Sequence, residues 1–242
     1  MKIASKSDIG RVRASNQDSF SAGEIRGVAW AVVCDGMGGA NGGNIASGKA
    51  VKTISDCIAN AYHSDMGANG VSAMLESAII AANLNIYDEA AENSSLSGMG
   101  TTVVAAIASA DSIILAHAGD SRAYIYEAGA LRQITRDHSV VQKMIERGEI
   151  TPDEARNDPR KNVITRALGV SEDVEIDFGE EIFTKDAILI LCTDGLTNYV
   201  DPGQMVSIVE NNKFEDCPQL LVDAANAGGG TDNITVVMIK ND

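Results

Sequence analysis

Apolar residues fall along this chain in short, almost unbroken runs. Gly27–Cys34 (GVAWAVVC), Thr101–Ala108 (TTVVAAIA), Ser112–Ala118 (SIILAHA), Arg122–Glu127 (RAYIYE), Ala187–Cys192 (AILILC) and Asn233–Lys240 (NITVVMIK) are rich in β-branched residues, and their length suits strands. Leu131–Ile134 follows Ala128-Gly129-Ala130, which reads as a hairpin turn and predicts a short return strand. Two longer segments, Asn44–Ala61 and Val71–Ala91, read as helices. In the second, Met74, Ala78, Ile79, Ala82, Ile86 and Ala90 recur near the 3.6-residue period. Shorter helices are expected at Ser139–Arg147, Gly203–Asn211 and Pro218–Ala227, with Pro202 and Pro218 near the starts of the last two, where proline is tolerated. Strands come in groups separated by helices, without regular β-α-β alternation. The order predicts an α+β fold of antiparallel sheets with helices packed outside. Residues 135–168 break the pattern: they are polar, rich in arginine (Arg136, Arg147, Arg156, Arg160, Arg166), and predict a surface flap with one or two short helices.

With 242 residues and 45% apolar content the chain can bury a substantial core, and one domain spanning 1–242 is expected. Met1–Lys6 has no apolar core of a signal peptide, and no apolar run approaches the ~18 residues a membrane span needs, so a soluble, cytoplasmic protein is expected. The net charge of −15 disfavours nucleic acid or an anionic membrane as partner. Without heptads or long apolar edges, a monomer is expected. The four cysteines, Cys34, Cys57, Cys192 and Cys217, include no C-x-x-C pair and read as reduced structural thiols.

The placement of certain aspartates says more than their number. Asp35 ends an apolar run and precedes glycines (VVCDGMGG), and Asp194 does the same (LILCTDGL). Asp120 follows a strand in LAHAGDSRAY, Asp232 precedes the last strand in GGGTDNITVV, and Asp18 lies in RVRASNQDSF. Aspartate and glycine at strand ends are also ordinary turn chemistry. The repetition beside small residues, however, suggests convergence on one rim of antiparallel sheets. Four carboxylates ~6 Å apart at an effective dielectric of ~20 would repel by about 17 kcal/mol in all, more than the stability of most domains, ~5–15 kcal/mol. Such a cluster needs cations, and an oxygen-only ligand set without nearby Cys or His selects Mg²⁺ or Mn²⁺. Two such ions sharing a bridging water would lower its pKa and yield a hydroxide suited to in-line attack on phosphorus. Arg13, five residues before Asp18, is the candidate phosphate-binding guanidinium, with Arg11 its rival.

Competing chemistries fare worse. Gly43–Lys49 (GNIASGK) resembles a P-loop, but Ala50 stands where the magnesium-binding hydroxyl belongs. Neither Cys34 nor Cys192 starts the C-x5-R loop of a cysteine phosphatase. His117 reads as a packed residue and His63 as solvent-facing. His138, beside the flap, could approach a substrate.

The segments Arg13–Asp18 (RASNQD), Asp35–Gly39 (DGMGG), Gly98–Thr102 (GMGTT), Ala118–Tyr124 (AGDSRAY), Thr193–Leu196 (TDGL) and Gly230–Thr235 (GTDNIT), in this order, resemble the metal-dependent Ser/Thr protein phosphatases of the PPM (type 2C) family in their compact bacterial form. The resemblance spans essentially the whole chain. It implies a central sandwich of two antiparallel sheets flanked by helix pairs, and hydrolysis of phosphoserine and phosphothreonine in proteins, with a cognate Ser/Thr kinase as a further partner. It also implies site roles: Asp35 bridging two metals, the Gly36 carbonyl binding one, Asp194 and Asp232 holding the first, Asp18 supporting the second through water, and Asp120 with Asp194 holding a third, weaker ion. Arg13 would contact the substrate phosphate and residues 135–168 would influence substrate choice. Gln17 stands where many eukaryotic members carry Glu, and Met37 where they carry His, so no protein side chain is assigned as general acid. The alternative is a non-catalytic phosphoprotein-binding module of the same fold. It would be expected to have lost metal carboxylates, and here every position is filled.

Overall fold

Period-two alternation, masked in the sequence because the central strands are buried on both faces, sorts their residues into distinct layers. In this computed structural model, residues 1–242 are described, save the side chains of Ala40 and Asn41. The strands are β1 (Lys2–Asp8), β2 (Asp18–Ile25), β3 (Val28–Met37), β4 (Gly100–Thr101), β5 (Val103–Ala108), β6 (Ser112–Ala118), β7 (Arg122–Glu127), β8 (Ala130–Gln133), β9 (Asp177–Ile182), β10 (Ile188–Cys192) and β11 (Ile234–Lys240). The helices are α1 (Gly39–Ala61), α2 (Ala68–Glu92), α3 (Val140–Glu146), α4 (Pro152–Ala155), α5 (Asp194–Thr197), α6 (Pro202–Asn211) and α7 (Cys217–Gly228). One sheet has the order β1-β11-β10-β7-β8. The other runs β2-β3-β5-β6-β9, with β4 added to β3. Every pairing is antiparallel.

Ala29, Ala31 and Val33 of β3, Val104 and Ala106 of β5, Leu189 and Leu191 of β10, and Val237 and Ile239 of β11 fill the layer between the sheets. The intervening residues face outward. Val32, Cys34, Ala105 and Ala116 pack under α1 and α2, while Ile190, Cys192, Val236 and Met238 pack under α6 and α7. The result is the expected α-β-β-α sandwich. The many alanines in the middle layer let two sheets approach closely with few aromatics.

Several expectations need correction. α1 begins at Gly39, five residues before the predicted start, and places Gly43–Lys49 inside the helix, which removes the P-loop reading. Thr102 divides the predicted Thr101–Ala108 strand into β4 and β5. β1, β2 and β9 were not anticipated at all. Residues between β8 and β9 carry α3 and α4, and an isolated bridge from Ser139 to Ile164 ties the outgoing limb of this segment to the returning one. The cysteines are free, three of them buried.

Candidate metal and phosphate site

At one end of the sandwich the inward-facing positions switch from apolar to polar. Following β3 inward from Ala31 and Val33, the next residue on that face is Asp35. Asp18 of β2 is its direct partner across the ladder, so both carboxyls leave the sheet on one side. On β10 and β11 the same alternation, two residues beyond Leu191 and two before Val237, delivers Thr193 and Thr235. Both hydroxyls donate to Asp18 Oδ2, at 2.9 and 2.7 Å. Ser7 of β1 then hydrogen-bonds Thr235 Oγ1 at 2.8 Å. Between β4 and β5, Thr102 Oγ1 accepts the Asp35 N–H at 2.9 Å and bonds Ser121 Oγ at 2.7 Å. Both sheets therefore converge on the two facing aspartates.

Asp194 opens α5 directly after β10, and Asn198 one turn later donates to its Oδ2 at 3.0 Å. Asp120 sits in the β6–β7 turn and Asp232 just ahead of β11. Asp35, Gly36, Asp120, Asp194, Asp232 and Arg13 line one cavity of about 500 Å³, to which Asn162 and Ile164 contribute from the 135–168 segment. Asp18 lies beneath it, buried. Arg13 is exposed on the rim, and its Nη2 donates to Asp232 Oδ2 at 2.9 Å. Arg11 is committed elsewhere, its Nε donating to the Asn226 carbonyl. Gln17 donates to the Gly39 carbonyl at 2.8 Å and so anchors the start of α1. Met37 lines the cavity and has no proton to give.

Charge is concentrated here. Burial, then the nearby Asp18, Asp194, Asp120 and Asp232, push the Asp35 carboxyl well above its usual range. Burial lifts Asp18 to about 7 against the pull of the two threonine hydroxyls. It lifts Asp120 to about 8, helped by Asp194 and Asp137, and raises Asp194, with Asp232 adding to the effect. The bond to Asp232 raises the Arg13 guanidinium further. Buried carboxylate oxygens normally find donors. Yet Asp18 Oδ1 and Asp194 Oδ1 have no hydrogen-bond partner among the described residues. Orphaned anionic oxygens in an all-oxygen donor set fit hard divalent cations.

Two glycines make the site possible. A Cβ on Gly36 would collide with the Gly43 carbonyl oxygen, and one on Gly195 with the Asn233 carbonyl oxygen. Asn233 in turn holds the Arg13 loop, donating to the Ile9 and Ser15 carbonyls and accepting from Gln17 N. Gly195→Ala is therefore expected to lower unfolding free energy by about 2–3 kcal/mol, whereas Gly67→Ala, with open space around it, should be near neutral; urea melts of both variants check this.

Sequence reasoning missed the threonines, Asn198 and Asn233. The usable signal was the inward alternation of β10 and β11 carried one step past their last apolar residues. His138 also departs from expectation. It is buried and bonded to Gly119 and Asp177, away from the cavity. His117 is buried and His63 exposed, as anticipated.

Comparison with known proteins agrees with this arrangement. The family model for protein phosphatase 2C matches residues 10–216. The serine/threonine phosphatase stp of Listeria monocytogenes is 37% identical over 239 residues, 98% of this chain and 94% of the relative. The Streptococcus agalactiae serine/threonine phosphatase superposes with a TM-score of 0.91 at 34% identity, covering 98% of each chain. The catalytic domain of the phosphatase PstP, solved in complex with two manganese ions, superposes with a TM-score of 0.88 at 32% identity, covering 100% of this chain and 98% of that one. The chain belongs to the protein phosphatase 2C family and is a serine/threonine phosphatase.

Proposed function

We propose that the protein is a single phosphatase domain that removes phosphate from phosphoserine and phosphothreonine of proteins, using manganese or magnesium held by Asp35, Asp194, Asp232, Asp18, Asp120 and the Gly36 carbonyl. The observation that carries this reading is the pair of orphaned oxygens on Asp18 and Asp194, set in a ring of carboxyls whose charges burial and mutual repulsion disfavour. When bound, the ions supply an acidified water as nucleophile and neutralise charge gathering at phosphorus. The chain's own residues do the rest. Thr193 and Thr235 fix Asp18 through Oδ2 and leave Oδ1 without a partner, so that it would be free to support a cation. Asn198 does the same for Asp194. Arg13, engaged through Nη2 alone, has further donors for the phosphate oxygens.

Residues 135–168 form a flap that biases substrate choice, since Asn162 and Ile164 reach the cavity wall. No helix among the described residues is long and apolar enough to cross a membrane; a cytoplasmic monomer is part of the reading proposed. A cognate Ser/Thr kinase is the natural source of its substrates. The decisive test is turnover of phosphoserine, phosphothreonine and phosphotyrosine peptides with Mn²⁺, Mg²⁺ and chelator. Activity on the first two that disappears with chelator is expected. Binding of phosphopeptides without turnover would favour the non-catalytic module.

Arg13→Ala should raise KM for a phosphopeptide about 10-fold, the loss of one charge-assisted contact, while the Mn²⁺ half-saturation moves by only about twofold, because the Arg13–Asp232 pair is solvent-screened. An unchanged KM would remove Arg13 from the phosphate site.

A further inference from the structure

Away from the cavity, the described residues hold one other cluster of metal-type side chains: His117, His138 and Asp177. The histidine rings lie nearly parallel, 6° apart with centroids at 4.7 Å. This stacking is wrong for a shared ion, which would have to lie in both ring planes. The hydrogen bonds argue the same way. The Gly119 N–H donates to His138 Nδ1 at 3.1 Å, so the neutral ring carries its proton on Nε2. That proton faces Asp177 Oδ2 at 3.1 Å. Asp177 Oδ1 takes Arg166 Nη1 at 2.6 Å, and the same Nη1 lies 3.0 Å from Nε2. A cation on Nε2 would need an imidazolate and would have to expel the guanidinium. The cluster is a hydrogen-bond chain.

Its near end is the backbone of Gly119, the residue before Asp120. His138 grips both polar groups of that glycine: the ring accepts the Gly119 N–H, and the His138 N–H donates to the Gly119 carbonyl at 2.9 Å. Gly119 is held at φ 116°, and a Cβ there would sit 2.6 Å from Thr102, the residue that binds the Asp35 amide. At the far end, the His138 carbonyl accepts from Thr165 N at 2.7 Å, on the returning limb of the 135–168 segment, which also carries Arg166. Burial keeps the imidazole below its ordinary pKa and hence neutral, as the chain requires.

We propose that His138 is a positioning residue for Asp120: it locks the Gly119 peptide from which the Asp120 carboxylate is aimed at the cavity, and it couples that aim to the flap through Asp177 and Arg166. The proposal rests on Asp120 being a cation ligand. Asparagine and glutamine separate the two ends of the chain. In His138→Asn the side-chain oxygen replaces Nδ1 and keeps the Gly119 bond while losing Asp177. His138→Gln reaches Asp177 and leaves Gly119 without its acceptor.

Manganese titration of the full chain by calorimetry, with thermal melts of the same samples, provides the test. His138→Gln should weaken the weakest manganese site about 10-fold or more, the usual effect of losing an outer-shell partner, and His138→Asn should stay within about 3-fold. The melting temperature of His138→Asn should fall at least as far as that of His138→Gln, which a purely structural role would not combine with preserved affinity. Wild-type affinity in His138→Gln, or equal weakening in both variants, overturns the proposal. Asp120→Asn should remove the weakest site. If it leaves every site intact, the assignment of Asp120 fails and the positioning role goes with it; if it removes the site while His138→Gln binds normally, only the positioning role fails.

Discussion

Asp35→Asn is expected to reduce p-nitrophenyl phosphate turnover by about 10³-fold or more and, in the metal-free protein, to raise the melting temperature. The two effects share one cause. Asp35 is the carboxyl on which every neighbouring aspartate acts, and burial together with that crowding disfavours its charge. Removing the charge relieves repulsion on the order of 2–3 kcal/mol, the interaction of one neighbour at ~6 Å and an effective dielectric of ~20. The same change deprives the cations of a ligand. Asp194→Ala should likewise abolish turnover, with a smaller gain in stability because it also strips the partner of Asn198. Near-normal rates in either variant at saturating Mn²⁺ would contradict the site, and a lower melting temperature for metal-free Asp35→Asn would contradict its electrostatics.

Metal-free protein should become less stable as pH rises from 5 to 8, and manganese should reverse that trend. The folded state raises Asp18 from its ordinary 3.8 to about 7 and Asp120 from 3.8 to about 8. A raised carboxyl favours the fold while it is protonated. Its contribution is full below about pH 4 and is lost as pH climbs through 7 to 8. For Asp18 alone the shift of roughly three units corresponds to ~4 kcal/mol. Cations bind the deprotonated carboxylates, so loaded protein gains stability over the same window. Thermal melts at pH 5, 6.5 and 8, with chelator and with Mn²⁺, measure both slopes. The general acidity of the chain also contributes, and Asp18→Asn isolates the local part by flattening the chelator slope. A chelator slope that is flat or rising in wild type would rule out the buried-carboxyl account.

What the sequence disclosed follows from burial. The central strands are covered on both faces and stand out as apolar runs. The edge strands β1 (KIASKSD), β2 (DSFSAGEI) and β9 (DFGEEI) are half-covered and polar, which keeps sheet edges from pairing with other chains and hides them from a hydropathy reading. β8 is also an edge, yet it was anticipated from the hairpin signal Ala128-Gly129-Ala130, and Ala128 and Gly129 do adopt positive φ in the turn. The aspartates were visible as acids beside glycine at strand ends. Their supporters Thr193, Thr235 and Asn233 were not, because they matter only through contacts with residues far away in the chain. Asp18 Oδ2 meets Thr235 across 217 positions. The approach to substrate anticipated for His138 failed for the same reason, since its partners Gly119 and Asp177 lie 19 and 39 positions away in the chain.

The last strand of the chain is not an edge: β11 is threaded between β1 and β10. Without it β1 would have no neighbour in the sheet, and Asp18 would lose Thr235, one of its two hydroxyl donors. Local fraying of β11 would therefore unseat β1 and loosen the buried aspartate pair in the same event.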